Sequence, residues 1–218
     1  WTHAHDLGRK ALEEAGHKTY FVESVPEGSS EGQILKMARK SDIVFTTSFG
    51  FMDPTLKVSK KFPDKVFLHC SGFKQSKNMG NYFGRMYQAK YLAAMIAGGM
   101  SKKGRIGIVG SQPIPEIIRH INAITLGAQV VNPNVTVEVI WINSWFDPAK
   151  ESDAAQALID NGADVIVTMA DSPATVQTSK KNGVYAIGND TDMAIYGKEA
   201  HLTAAVWNWD VYYLEAVK

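Results

Sequence analysis

The chain has 218 residues, of which 45% are hydrophobic and 21% are charged. Its 23 basic and 22 acidic residues leave a net charge of +1, which gives no electrostatic argument for binding nucleic acid or an anionic membrane. No apolar run approaches the roughly 20 residues that a membrane span needs, and the single cysteine, Cys70, excludes an internal disulfide.

Helices and strands alternate along the first half of the sequence. Apolar residues at helical spacing, such as Leu12, and capping residues, such as Gly16 at the end of the first helix, predict the helices. Short runs of the buried type, such as the one around Val44, predict the strands. In chain order we predict a helix over 3–16, a strand over 18–23, a helix over 31–40, a strand over 42–47, a helix over 53–62, a strand over 65–70 and a helix over 87–100.

A second alternating series begins at Gly104. Pro115 opens a long helix that carries Ile117, Ile121 and Ile124 on one face. The predicted elements are strands over 105–109, 135–142, 165–168, 184–187 and 202–206, helices from 115, over 147–161 and over 173–181, and a last helix from 209. Two such series predict two parallel sheets with right-handed crossovers.

The break between the two series predicts the domain organisation. We expect an N-terminal lobe over 1–103, a C-terminal lobe over 104–206, and a return to the N-terminal lobe over 207–218. The chain starts directly on a helix and stops within one, so we expect the first strand to be missing and the last helix to be truncated. A signal peptide or lipid anchor removed with that segment is compatible with this start.

Polar and aromatic residues gather where the predicted strands end. The five clusters lie at 46–50, 143–147, 171–173, 189–192 and 207–209. Open α/β sheets bind ligands at the carboxyl ends of their strands. Each cluster alone also fits helix capping or loop chemistry. Together they predict a cleft between the lobes for a flat heterocycle that carries hydrogen-bond donors.

Trp145 is the most informative of these residues. It follows a strand-like run and precedes Asp147, a predicted N-cap, and Pro148, a predicted first helical residue. A large aromatic side chain in such a strand-to-helix loop is a candidate platform for a flat ligand. The alternative is that Trp145 only covers the edge of the sheet.

Motifs of catalysis and of cofactor binding are missing. No Gly-x-Gly-x-x-Gly follows a strand, and no Gly-x-Ser-x-Gly directly follows a predicted strand, as a nucleophile elbow would. His3 and His5 do not share a helix face, and His69 and Cys70 point to opposite faces of a strand. We therefore expect no enzymatic activity, no cofactor and no bound metal.

Several longer motifs carry a family resemblance. They are residues 46–54, 82–85, 113–116, 143–148 and 201–203, and they occur in order through essentially the whole chain. Here the sequence resembles the basic membrane protein family of ABC-transporter substrate-binding proteins, which is related to purine nucleoside receptors. The resemblance implies an α/β fold of the type I periplasmic-binding class, with two doubly wound parallel-sheet lobes joined by a hinge.

The resemblance also implies a set of ligand-binding residues. Trp1 falls in the first binding loop, Trp145 where an aromatic side chain stacks on the base, Asp171 at the end of the next strand, and Asp190 at the ribose-binding Asp. The full implied set is Trp1, Ser48, Phe49, Gly50, Trp145, Asp171, Asp190, Trp207 and Asn208.

One departure bears on the ligand. Nucleoside-binding members carry a Lys after the last strand, whereas this chain has Trp207 followed by Asn208. Loss of a ribose donor favours a free purine base such as adenine, while Asp190 argues for a nucleoside. The resemblance further implies a periplasmic or lipid-anchored monomer that delivers its ligand to a membrane permease. The alternative is the ligand-sensing domain of a regulator.

Overall fold

The structure is a computed structural model that describes residues 1–218. Eight α-helices and eight β-strands follow one another along the chain. The helices are α1 (Thr2–Glu14), α2 (Ser30–Ala38), α3 (Met52–Ser59), α4 (Met86–Met100), α5 (Pro115–Val131), α6 (Pro148–Asp160), α7 (Ala174–Lys181) and α8 (Trp209–Ala216). The strands are β1 (Ile43–Thr46), β2 (Val66–Cys70), β3 (Met79–Tyr82), β4 (Arg105–Gly110), β5 (Thr136–Trp141), β6 (Val165–Met169), β7 (Tyr185–Asp190) and β8 (His201–Val206).

The strands form two parallel sheets, and the chain divides into two compact units around them. The five-stranded unit comprises Trp1 and Arg85–Trp207, with strand order β5-β4-β6-β7-β8. The three-stranded unit comprises Thr2–Gly84 and Asn208–Lys218, with order β1-β2-β3. None of the helices combines the length and the apolar character that crossing a membrane requires.

Both faces of the five-stranded sheet are covered by helices. On one face, Ile108 of β4 packs with Ala97 of α4 and Ile124 of α5. On the other face, Val109 packs with Leu158 of α6. Because both faces are buried, β6 is an unbroken run of buried residues rather than an alternating one. This is the doubly wound arrangement that the sequence predicts.

The boundary between the units differs from the sequence prediction. We predicted it after residue 103, whereas the packing divides the chain between Gly84 and Arg85. The reason is α4, which packs closely on α5 and also contacts β8. A Cβ atom added at Gly127 of α5 would lie 2.2 Å from the carbonyl oxygen of Tyr91 in α4, so the two helices touch through their backbones.

The three-stranded unit has its own core. Val44 of β1, Phe67 of β2 and Met79 of β3 pack with Ile34 of α2 and Val58 of α3. Helix α8 belongs to this unit and packs on α1. There the His5 ring stacks on Trp209 at 4.6 Å between centroids, and its Nδ1 lies 2.7 Å from the Tyr213 hydroxyl.

Two sequence predictions fail in this unit. Residues 18–23 are not a strand: their backbone has no ladder partner, and they line a cavity of about 690 Å³ together with β1. Strand β3 was not predicted, because Met79-Gly80-Asn81-Tyr82 has neither β-branched residues nor an apolar run.

Candidate functional site

The candidate site lies at the carboxyl edge of the five-stranded sheet. Strand β4 lies between β5 and β6 in the sheet. The chain adds β5 on one side of β4 and then crosses to add β6 on the other side, so the strand order reverses at β4. Ligands of open α/β sheets bind at such a reversal of strand order, outside the carboxyl ends. Ser111 directly follows β4, Asp171 lies two residues beyond β6, and Asp190 is the last residue of β7.

Asp190 is held in place by Trp207. The indole Nε1–H of Trp207 donates to Asp190 Oδ1 at 2.8 Å, and the backbone N–H of Trp207 donates to the Asp190 carbonyl at 3.1 Å. Asp190 has φ of +64°, a left-handed conformation that is uncommon outside glycine. Trp207 therefore orients a carboxylate that is only 7% exposed.

Asp171 is a second, half-buried carboxyl group at this edge. Its backbone N–H donates to the carbonyl oxygen of Trp145 at 3.0 Å, which ties the loop after β6 to the loop after β5. Burial raises the pKa of Asp171 to about 7, and the nearby carboxylates of Asp190 and Glu151 act in the same direction. Near neutral pH this group can both donate and accept a hydrogen bond.

Trp1 adjoins both carboxyl groups. Its backbone nitrogen lies 3.8 Å from Asp171 Oδ1 and 3.5 Å from Asp190 Oδ2. Its ring meets the Trp207 ring edge-on, with 5.8 Å between centroids and 85° between planes. The structure thus brings together four of the residues that the resemblance implies: Trp1, Asp171, Asp190 and Trp207.

Trp145 shares this unit, but its side chain packs on the core. It is half-buried against the apolar cluster that includes Ile117 and Met169. The local prediction of the helix start is confirmed, since the Asp147 side chain accepts from the backbone N–H of Lys150 at 3.1 Å. Stacking of Trp145 on a ligand stays a prediction.

The other implied residues lie in the three-stranded unit. Phe49–Phe51 form a short 3-10 turn, and the Ser48 hydroxyl donates to a Glu27 carboxylate oxygen at 3.2 Å. A Cβ atom at Gly50 would lie 2.1 Å from the carboxyl carbon of Glu27, so the absence of a side chain at position 50 leaves room for the Glu27 carboxyl group. Asn208 is exposed and directly precedes α8. The part of Ser48, Phe49, Gly50 and Asn208 in ligand binding stays a prediction.

Two buried polar residues at the site were not found from the sequence. Ser111 is fully buried, and its hydroxyl has no hydrogen-bond partner in the protein. Glu151 of α6, also fully buried, accepts from the Ser172 hydroxyl at 2.7 Å and from the Asp147 backbone N–H at 3.2 Å. It thereby braces the loops that carry Trp145 and Asp171.

The chemistry of the site is that of holding a polar molecule. It offers two carboxyl groups, a buried hydroxyl and aromatic rings, which suit a flat ligand with donors and acceptors on its edge. No group of three or more His, Cys, Asp and Glu side chains is arranged to hold a metal ion.

The sheet topology and the fold comparison define the fold class. The chain has the fold of periplasmic-binding-type solute-binding proteins. A solved solute-binding protein of an ABC transporter system from Aeropyrum pernix K1 superposes with a TM-score of 0.87 at 19% identity, over 97% of this chain and 64% of that chain. At that identity the likeness supports the fold alone.

The sequence comparisons identify the family. The family of PnrA-like ABC transporter substrate-binding proteins matches residues 1–218, and the chain belongs to it. A purine-binding protein of Brucella abortus is 49% identical over 223 residues, and a protein of Haloferax volcanii named as an ABC transporter glucose-binding protein is 41% identical over 216 residues. These matches cover 100% and 98% of this chain, which spans 64% and 55% of the two relatives.

Proposed function

We propose that this chain is the ligand-binding part of an ABC importer's substrate-binding protein and that it binds a purine, with a free base such as adenine favoured. The observation that carries the proposal is the pair of carboxyl groups, Asp171 and Asp190, at the reversal of strand order. The purine-binding relative at 49% identity supports the same ligand class. A membrane permease as partner and a location outside the cytoplasmic membrane follow from this proposal.

Asp171 matches one edge of adenine. Adenine presents a donor, its N6 amino group, beside an acceptor, N7. A protonated carboxyl group offers the complementary pair, an O–H donor and a C=O acceptor. Since burial raises the pKa of Asp171 to about 7, the protonated form is available at neutral pH.

Asp190 is better suited to one further donor than to a ribose. Its Oδ1 already accepts the Trp207 indole N–H at 2.8 Å, so less of its capacity is left for two neighbouring hydroxyl groups. Ribose hydroxyls that are buried without partners cost roughly 1–3 kcal/mol each. We therefore favour a free base over its nucleoside.

A sugar is the second candidate ligand. The Haloferax relative, at 41% identity, is named for glucose binding. Carboxylates and tryptophan rings are also able to hold a sugar through its hydroxyl groups and its apolar face. The higher identity to the purine-binding relative, 49% against 41%, favours the purine.

Native mass spectrometry in a competition mixture tests the proposal. The purified chain is incubated with equal concentrations of adenine, adenosine, guanine, guanosine and glucose, and the bound species is identified by its mass. We expect the adenine complex to dominate. A glucose complex, or the absence of any purine complex, would overturn the purine assignment, and a dominant adenosine complex would overturn only the preference for the base.

A further inference from the structure

Lys90 is a fully buried lysine in the five-stranded unit. It lies on α4, which contacts β7 and β8, and its Nζ donates to the side-chain oxygen of Asn189. Asn189 immediately precedes Asp190 at the end of β7. A lysine is almost never fully buried unless it is paired, because burying an unpaired ammonium is very costly. The amide of Asn189 carries no charge, so the compensating charge must come from another residue.

The charged and titratable groups that face Lys90 identify that residue. Burial lowers the pKa of Lys90 to about 8, and the negative charge of Asp190 acts in the opposite direction. His120 on α5 also faces Lys90, but burial, together with the charges of Lys90 and Arg119, lowers its pKa to about 3, so it is neutral. Asp190 directly follows Asn189, which accepts from Lys90 Nζ, and is therefore the candidate for the compensating charge.

Asp190 needs Lys90 in turn. Its carboxylate is only 7% exposed, and its neighbours are the Trp207 indole, the Trp1 backbone nitrogen and the Asp171 carboxyl group. The Trp207 N–H stabilises one oxygen, whereas Asp171, when ionised, repels the negative charge. The Lys90 ammonium, which donates to the side chain of the preceding residue Asn189, offers a positive charge at this end of β7.

We propose that Lys90 is the internal counter-ion of Asp190 and a positioning residue of the site: it holds the end of β7 through Asn189 and places a positive charge near the Asp190 carboxylate. Lys90 acts on the site through Asn189, to whose side-chain oxygen its Nζ donates. The charge coupling is a property of the ligand-free protein, while the effect on affinity rests on the proposed function.

Titration of the Lys90 side chain tests the charge coupling without any ligand. The ¹³Cε resonance of Lys90 is followed against pH in the unmodified chain, in Asp190→Asn, and in Asp192→Asn as a control at an exposed carboxylate two residues away. Removing an opposite charge of this kind shifts a pKa by about 1–3 units. We expect the pKa of Lys90 to fall by at least about one unit in Asp190→Asn and to stay unchanged in Asp192→Asn. Equal titration in all three proteins would overturn the counter-ion assignment.

A double-mutant cycle tests the positioning role. Adenine affinity is measured in the unmodified chain, Lys90→Met, Asp190→Asn and the double variant, with Lys103→Met as a control at an exposed lysine. We expect Lys90→Met to weaken binding about tenfold, and to have less than about a twofold effect once Asp190 is Asn, since coupled residues are not additive. An equal loss in both backgrounds would overturn the positioning role.

The two experiments separate the possible failures. If the unmodified chain binds no adenine, the proposed function fails, and the Lys90 titration still decides the counter-ion. If Lys90→Met does not fold, the titration in Asp190→Asn again decides it. If adenine binds and Lys90→Met binds it equally well, the positioning role fails while the proposed function stands.

Discussion

Replacing Trp207 by Lys should shift the preference of the site from a free base toward a nucleoside. The backbone N–H of Trp207 bonds to the Asp190 carbonyl at 3.1 Å, so the substitution changes the side chain and leaves the main-chain bond in place. The indole N–H that Asp190 Oδ1 accepts at 2.8 Å is lost, and an ammonium group can replace it. The Asp190 carboxylate therefore keeps a hydrogen-bond donor, and the bulk of the indole ring is removed.

The size of the shift follows from the hydrogen bonds that ribose would gain. A ribose hydroxyl group that is buried without a partner costs roughly 1–3 kcal/mol. The lysine introduced at position 207 can pair with one of the ribose hydroxyl groups. At about 1.4 kcal/mol per factor of ten, adenosine should bind about 5- to 150-fold more tightly than it does to the unmodified chain. Adenine should lose roughly 0.5–1.5 kcal/mol of aromatic contact, so the ratio of the two affinities moves further.

Isothermal titration calorimetry with adenine and adenosine measures the ratio. Trp207→Phe serves as the matched control, because it keeps an aromatic face, lacks the N–H and adds no ribose donor. We expect the ratio to move toward adenosine in Trp207→Lys and not in Trp207→Phe. An unchanged ratio in a folded Trp207→Lys protein would refute the argument that Trp207 selects against ribose.

Three other substitutions test separate parts of the account. Trp145→Ala should weaken adenine binding about 5- to 150-fold, because stacking on a base is worth roughly 1–3 kcal/mol. Asp171→Asn should raise the Tm of the ligand-free protein at pH 8 by about 2–8 °C and have little effect at pH 4. The pKa of Asp171 in the folded protein, about 7, lies above its unfolded value, so ionising this carboxyl group lowers the stability of the folded protein increasingly as the pH rises between the two values. Gly127→Ala should lower stability by about 1–3 kcal/mol, because its Cβ would lie 2.2 Å from the Tyr91 carbonyl oxygen.

Each of these has a control and a contradicting result. Trp145→Phe should retain part of the affinity, and full affinity in Trp145→Ala would remove this ring from the ligand. A Tm difference for Asp171→Asn that is the same at both pH values would contradict the raised pKa. Gly99→Ala is the control for Gly127, because its Cβ would meet only Val131 Cγ1 at 3.5 Å; equal stability of the two variants would contradict the close helix contact.

Elements with an unbroken apolar run could be predicted from the sequence. The buried strands β4 and β6, and the cap of α6 at Asp147, lie close to where the pattern predicts them. The run at 18–23 has a similar pattern but is not a strand, because a strand forms only where a neighbouring strand pairs with it. Local pattern does not contain that information.

The same limit applies to the candidate site. Asp171 and Asp190 could be placed at the sheet edge from the topology rule alone. The bond between Trp207 and Asp190, the buried hydroxyl of Ser111 and the burial of Lys90 depend on residues that are distant in the sequence. A lysine within a helix is most often solvated, so nothing in the sequence separates Lys90 from its exposed counterparts.

The most direct test of the purine assignment is a calorimetric titration of the unmodified chain with adenine, adenosine and glucose at pH 7. We expect saturable binding of adenine, weaker binding of adenosine and no binding of glucose. Binding of adenine should be lost or strongly reduced in the Asp171→Ala, Asp190→Ala double variant, with its fold intact. Saturable glucose binding without purine binding, or equal adenine affinity in the double variant, would contradict the account.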